Sequence, residues 1–206
     1  MAKDSNLQRA QMRDRIAQRA AQLIAEHGIQ DYALAKRKAA RQLGAPATHS
    51  LPANSEIDAA LRAHLSLFQQ HEHAALLVRL RQYALQAMLL LEQFDPHLTG
   101  AVLNGTATEH AAIHLQLFVD SAKDVELFLL NRHIPYRAGS QRYRFGDAPR
   151  DIPTLIMENK DTEIEVALFA KDDLRITLKN PFDGKALARA KISQVRELLT
   201  VGGSGA

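Results

Sequence analysis

Cysteine is missing from this 206-residue chain. Without thiols there is no disulfide framework and no thiolate metal site, so an apolar core must carry stability. The opening residues Met1 to Asp4 lack the basic-then-apolar layout of a secretory signal. No run of about 18 apolar residues occurs either, so no membrane partner is expected and the cytoplasm is the expected compartment. Charge of one sign is also scarce: a formal net charge of +3 is too mild to predict a polyanionic partner from overall electrostatics. The Gly-x-x-x-x-Gly-Lys-Ser/Thr loop, the Gly-x-Ser-x-Gly elbow and the His-Glu-x-x-His helix are all absent from the sequence. The ordinary kinase and hydrolase classes therefore lose support.

What the chain does have is 46% hydrophobic content, enough to bury one sizeable core or two small ones. Its basic residues are uneven, with nine Lys or Arg against four Asp or Glu in residues 1–50. From Leu7 to His27, the residues Met12, Ile16, Ala20, Leu23 and Ile24 fall on one helical stripe, and Gly28 fits the position just past a helix end. A second helix is predicted over Tyr32 to Leu43, stopped by Gly44, and the loop Ala45 to Ala53 follows with Pro46 and Pro52. Ser55 and Asp58 read as an N-cap with an acidic first turn ahead of Ile57, Leu61, Leu65 and Phe68. The pattern resumes from Leu76 to Phe94, either as one long helix or as two with a joint near His71 to His73. Asp95-Pro96 closes this half, because a residue before proline is pushed out of the α region.

Beyond Pro96 the texture turns to short β-like runs, predicted at Leu98 to Leu103 and Ile113 to Val119. A helix over Ala122 to Arg132 is capped by Ser121 or Asp124, and Tyr136 to Phe145 reads as an exposed strand. Ile152 to Glu158 and Glu163 to Phe169, joined by Asn159 to Thr162, have the layout of a hairpin. A last helix is expected over roughly Gly184 to Leu199. The organisation read from sequence is thus a helical region 1–95, an α/β core 96–200 and a flexible tail 201–206. The fold class is α+β, a helical N-terminal half with a small mixed β-sheet domain.

The segment Gly100 to Leu117 reads GAVLNGTATEHAAIHLQL. It resembles the signature of the nucleotidyltransferase superfamily, in which a Gly-Ser pair, a Gly-Thr-Ala and a strand of the form Ser-Asp-Ile-Asp-Leu follow at this spacing. Gly100, Gly105, Thr106, Ala107, Ile113 and Leu115 occupy matching positions. The resemblance implies a nucleotidyltransferase-like fold over roughly 96–178, with Gly100, Gly105, Thr106 and Gln116 toward a nucleotide. In that family the strand carboxylates at i and i+2 share one face and, with a third from a neighbouring strand, hold two metal ions against the phosphates. This chain has Ala112 and His114 at the two strand positions. An acidic partner survives in Glu163 or Glu165, whose alternates Ile164, Val166 and Leu168 are expected to face the core. Neutral His114 is a poor ligand for Mg²⁺ and Ala112 offers none.

Two faces follow for the strand at Ile113: an apolar one of Ile113, Leu115 and Leu117, and a polar one of Ala112, His114 and Gln116. The polar residues read as solvent-facing on an open sheet or as an altered ligand pocket with Thr106, Glu109, His110 and Glu165. His71 and His73 lack the spacing that puts ligands on one helix face, while His110 and His114, four apart, run from loop into strand. Lys36, Arg37, Lys38 and Arg41, with the arginines upstream, offer contacts to nucleic-acid phosphates. The run from Arg15 to Gly44 also resembles the opening helices of TetR-type repressors, although Pro46 and Pro52 come where a recognition helix should follow.

Three functions are carried forward. The first is a catalytically degenerate nucleotidyltransferase-like protein, not an enzyme, that binds a nucleotide or a protein partner. The second is an active nucleotidyltransferase whose metal site, with Mg²⁺ as the cofactor, is rebuilt on Glu109, Glu163 or Glu165, with His114 among the catalytic candidates. The third is a DNA-binding regulator that uses the basic N-terminal helices.

Overall fold

A computed structural model describes residues 2–29, 31–45, 51–68, 70–145, 148–159, 162–176 and 187–202. The protein is α+β, with helices and one five-stranded mixed sheet. It forms two compact units, Met1–His73 and Ala74–Ala206, each with its own apolar cluster.

In the first unit α1 (Ala2–His27), α2 (Tyr32–Gln42) and α3 (Asn54–Phe68) enclose Ile16, Ala20, Leu23, Ala35, Ala39, Ile57 and Leu61. The stripe read from sequence is the face that α1 buries. Gly28 follows α1 with φ 62°, and Gly44 follows α2 with φ 74°, a left-handed conformation that glycine adopts without the clash a Cβ would bring. Asp31 caps α2, its Oδ1 accepting from the backbone N–H of Ala33 at 2.7 Å and of Leu34 at 3.2 Å. The start of α3 differs from the sequence reading. Helix begins at Asn54, so Ser55 lies inside it, and the Glu56 carboxylate reaches back to accept from the Ala53 N–H at 2.7 Å. An acidic side chain at the third helical position thus reaches back to the N–H of the residue before the helix, the half of a capping box that the N3 acid supplies.

The second unit takes in α4 (Gln70–Leu90) from Ala74 onward, followed by β1 (His97–Thr99), α5 (Gly100–Asn104), β2 (Ile113–Val119) and α6 (Ala122–Asn131). Then come β3 (Arg137–Phe145), β4 (Ala148–Asn159), β5 (Thr162–Ala170) and α7 (Ile192–Gly202). The sheet order is β1-β2-β5-β4-β3; only β2 and β5 run parallel, and the other neighbours are antiparallel. One face carries Leu98, Leu115, Leu117, Leu155, Val166 and Leu168, and Leu80, Ala84, Met88, Val125, Leu129 and Val195 of the helices join the same core. The second face is covered differently, by Phe118, Ile152, Ala167 and Phe169 with Tyr143, Phe145 and Leu187 against them.

The strand β2 and the β4–β5 hairpin fall where the alternation put them, and Ser121 is the residue that caps α6, its Oγ accepting from the Lys123 N–H at 3.3 Å. Lys160 and Asp161 of the turn lie outside the described residues, as do 46–50 of the proline loop and 203–206 of the tail. Gln69 also lies outside them, and helix flanks it on both sides as α3 and α4, with His71 to His73 inside α4. Two boundaries are corrected. Only the start of the run Leu98 to Leu103 is strand: β1 stops at Thr99, and Gly100, with φ 74°, turns the chain into α5. The closing helix starts at Ile192, because residues 187–191 are not helical: Ala190 bridges to Leu98, and the Gln194 side chain accepts from the Lys191 N–H at 2.8 Å. Residues 184–186 lie outside the described set.

Candidate functional site

The site grows from the β1–α5–β2 turn. Gly100 and Gly105 bracket α5 in the left-handed region, and the Thr106 N–H closes the turn on the Ala101 carbonyl at 2.9 Å. A Cβ on Gly100 would stand 3.2 Å from His114 Cδ2, so the turn lies directly against the His114 ring. Arg81, from α4, holds the other end of α5. Its Nε donates to the Val102 carbonyl at 3.2 Å, and its Nη2 lies 3.5 Å from that of Leu103. A cation at carbonyls left unpaired by a helix end is electrostatically favourable. Arg81 was not singled out from sequence, because nothing local to residue 81 signals a contact with residues 102 and 103.

On β2 the register sets His114 beside Glu165 of the parallel neighbour β5. Their side chains meet, Nδ1 to Oε2, at 3.2 Å, with 33% and 25% of each exposed. The hydrogen bond from His114 holds the Glu165 carboxyl below its usual range, against the opposing effect of burial. Thr99 on the other side donates its hydroxyl to the His114 carbonyl at 3.3 Å. Gly100, His114 and Glu165 are therefore brought together. Ala112 is buried just before β2, and its methyl offers no ligand.

The other candidates are dispersed. Glu163 is drawn toward β3, where Arg137 Nη2 meets its Oε1 at 2.5 Å. Glu109 and His110 occupy an exposed turn. Thr106 is buried, and Gln116 is 2% exposed with its Oε1 unpartnered. The expectation of a solvent-facing Gln116 is thus corrected: the face is closed by the aromatic cluster, in which Phe118 stacks on Phe169 at 5.5 Å and Tyr143 meets Phe169 edge-on at 5.0 Å. Phe118 and Phe169, at even spacing from His114 and Glu165, were the available signal. Burial and then the charge of Glu165 push the Tyr143 hydroxyl up to about 12.

No protein-family model, curated protein or solved structure matches this chain.

Magnesium takes near-octahedral oxygen coordination, and among the described residues no three His, Asp or Glu side chains converge as a metal would require. At the core of the site one carboxylate is already engaged by an imidazole. These residues do not fit Mg²⁺. The basic N-terminal cluster is split as well: Lys36 is 5% exposed on the buried face of α2 with Ala35, Ala39 and Ala40, while Arg37, Lys38 and Arg41 are exposed. Lys36 is therefore not available to a phosphate backbone on the same face as the other three.

Proposed function

We propose that the Ala74–Ala206 unit is a nucleotidyltransferase-like scaffold that binds a nucleotide without transferring it. The observation that carries this reading is the His114–Glu165 couple, at the register where the resemblance requires paired metal carboxylates. An imidazole and a carboxylate at 3.2 Å largely satisfy one another, whereas two-metal chemistry needs anionic oxygens that bind the ions and offset their charge. At the glycine turn the Gly105 and Thr106 N–H groups both donate to the Ala101 carbonyl, so the binding half of the proposal rests on Gly100, where backbone without a side chain can come close to a phosphate.

Calorimetric titration with ATP, with and without Mg²⁺, tests the reading. Binding should be measurable, should change little when Mg²⁺ is added, and should weaken in His114→Ala. No nucleotide transfer above background should accompany it. Absence of ATP binding would sink the proposal. Mg²⁺-dependent transfer abolished by Glu165→Ala would replace it with the active-transferase reading.

A further inference from the structure

A recess of about 150 Å³ opens on the β3–β4 side of the sheet, lined by Pro135, Tyr136, Arg137, Ile156 and Glu158. Ile156 is paired with Arg137 on one side and Glu165 on the other. Glu158 stands directly opposite Glu163 in the β4–β5 ladder, and like charges in that relation repel. Arg137 answers Glu163 through one nitrogen, and its fork retains further donors. Glu158 has no ion pair among the described residues. The recess thus holds a carboxylate on β4 that no described residue pairs, a guanidinium with donors to spare on β3, and the apolar surfaces of Ile156 and Pro135.

We propose that this recess binds a free aliphatic α-amino acid, its ammonium on Glu158, its carboxylate on Arg137 and its hydrocarbon side chain over Ile156 and Pro135. Size favours such a ligand: pockets for drug-sized molecules run from about 300 to 1,000 Å³, so this one is too small for a nucleotide. A metal ion is disfavoured because, among the described residues, no third His, Asp or Glu joins the two carboxylates. A simple amine would relieve Glu158 but leave the remaining donors of Arg137 unused, and a simple carboxylate would do the reverse.

The test is NMR titration of the full chain with L-leucine, with 3-methylbutylamine, which lacks the carboxylate, and with 4-methylpentanoate, which lacks the ammonium. Leucine should shift the amide signals of Tyr136, Ile156 and Glu158 saturably and bind at least about tenfold more tightly than either analogue. Glu158→Gln should abolish the advantage of leucine over 4-methylpentanoate, and Arg137→Gln its advantage over 3-methylbutylamine, a split that a loss of fold would not produce. Equal binding of leucine and one single-charge analogue to the unaltered protein would overturn the zwitterion assignment. So would the absence of saturable shifts at millimolar leucine, or shifts confined to other parts of the sheet. Titrating ATP into the same sample, read at Gly105 and His114, keeps the outcome separate from that of the nucleotide proposal.

Discussion

Gly100 and Gly105 flank α5 with nearly the same backbone, φ 74° and 76°, yet their surroundings differ. A Cβ at Gly105 meets Arg81 Nη2 at 3.9 Å and Leu77 Cδ1 at 4.0 Å, ordinary contacts, whereas at Gly100 it presses on the His114 ring at 3.2 Å. Gly105→Ala should therefore cost only the left-handed strain, roughly 1–2 kcal/mol. Gly100→Ala should cost more, and by displacing the His114 ring it should let the Glu165 carboxyl rise toward its usual range. Chemical denaturation of both variants, with NMR titration of Glu165, checks the pair of expectations; equal destabilisation and an unmoved Glu165 would show that the turn does not press on the ring. His97 gives a second residue-scale effect. It is 4% exposed, and burial lowers its pKa, although the nearby Asp95 opposes the shift. The unfolded chain then binds a proton more readily than the folded one, so His97 contributes stability that is complete above its ordinary value near 6.5 and is lost as pH falls through its lower folded value. The thermal midpoint should drop between pH 7 and pH 5, and His97→Gln should flatten that slope.

At the scale of elements, the β4–β5 hairpin was legible because a strand half-buried on one face must alternate. Ile164, Val166 and Leu168 are buried, while Glu163 and Glu165 are not. Val166→Asp should destabilise the protein by more than about 3 kcal/mol through an unpaired buried charge, and Glu163→Gln, which removes one exposed ion pair, by less than about 1 kcal/mol. Comparable shifts in the denaturation midpoint would place the register one residue out. Alternation failed on the other face of β2. Polar His114 and Gln116 imitate a solvated surface, and local periodicity does not show that Phe118, Phe169 and Tyr143 converge to cover it. The helix starts at Asn54 and Ile192 were misplaced for a related reason. In both, the cap is a side chain at the third helical position, Glu56 or Gln194, reaching back to the Ala53 or Lys191 N–H. Ser55 and Gly184 looked like better stops by residue type alone.

At the scale of the whole molecule, the two units own separate cores. Ile16 and Leu61, with no exposed surface, belong to the cluster of α1 to α3, and Leu115 and Val166, each 1% exposed, to the cluster of the sheet and its helices. Hydrophobic burial is the largest favourable contribution to folding, so a cooperative transition should follow each core rather than the chain as a unit. Differential scanning calorimetry should resolve two transitions. Ile16→Asp and Val166→Asp each bury an unpaired charge in one core only, and a loss of about 3 kcal/mol in a unit of this size lowers its midpoint by more than about 10 °C. Ile16→Asp should move one transition and leave the other in place, and Val166→Asp should do the opposite. ATP belongs to the sheet-bearing unit under the proposed function, so it should raise only the transition that Val166→Asp lowers, because a ligand stabilises the state that binds it. A single transition lowered equally by either substitution would show that the cores fold together, whereas two transitions with ATP raising the Ile16 one would move the nucleotide site out of the sheet altogether.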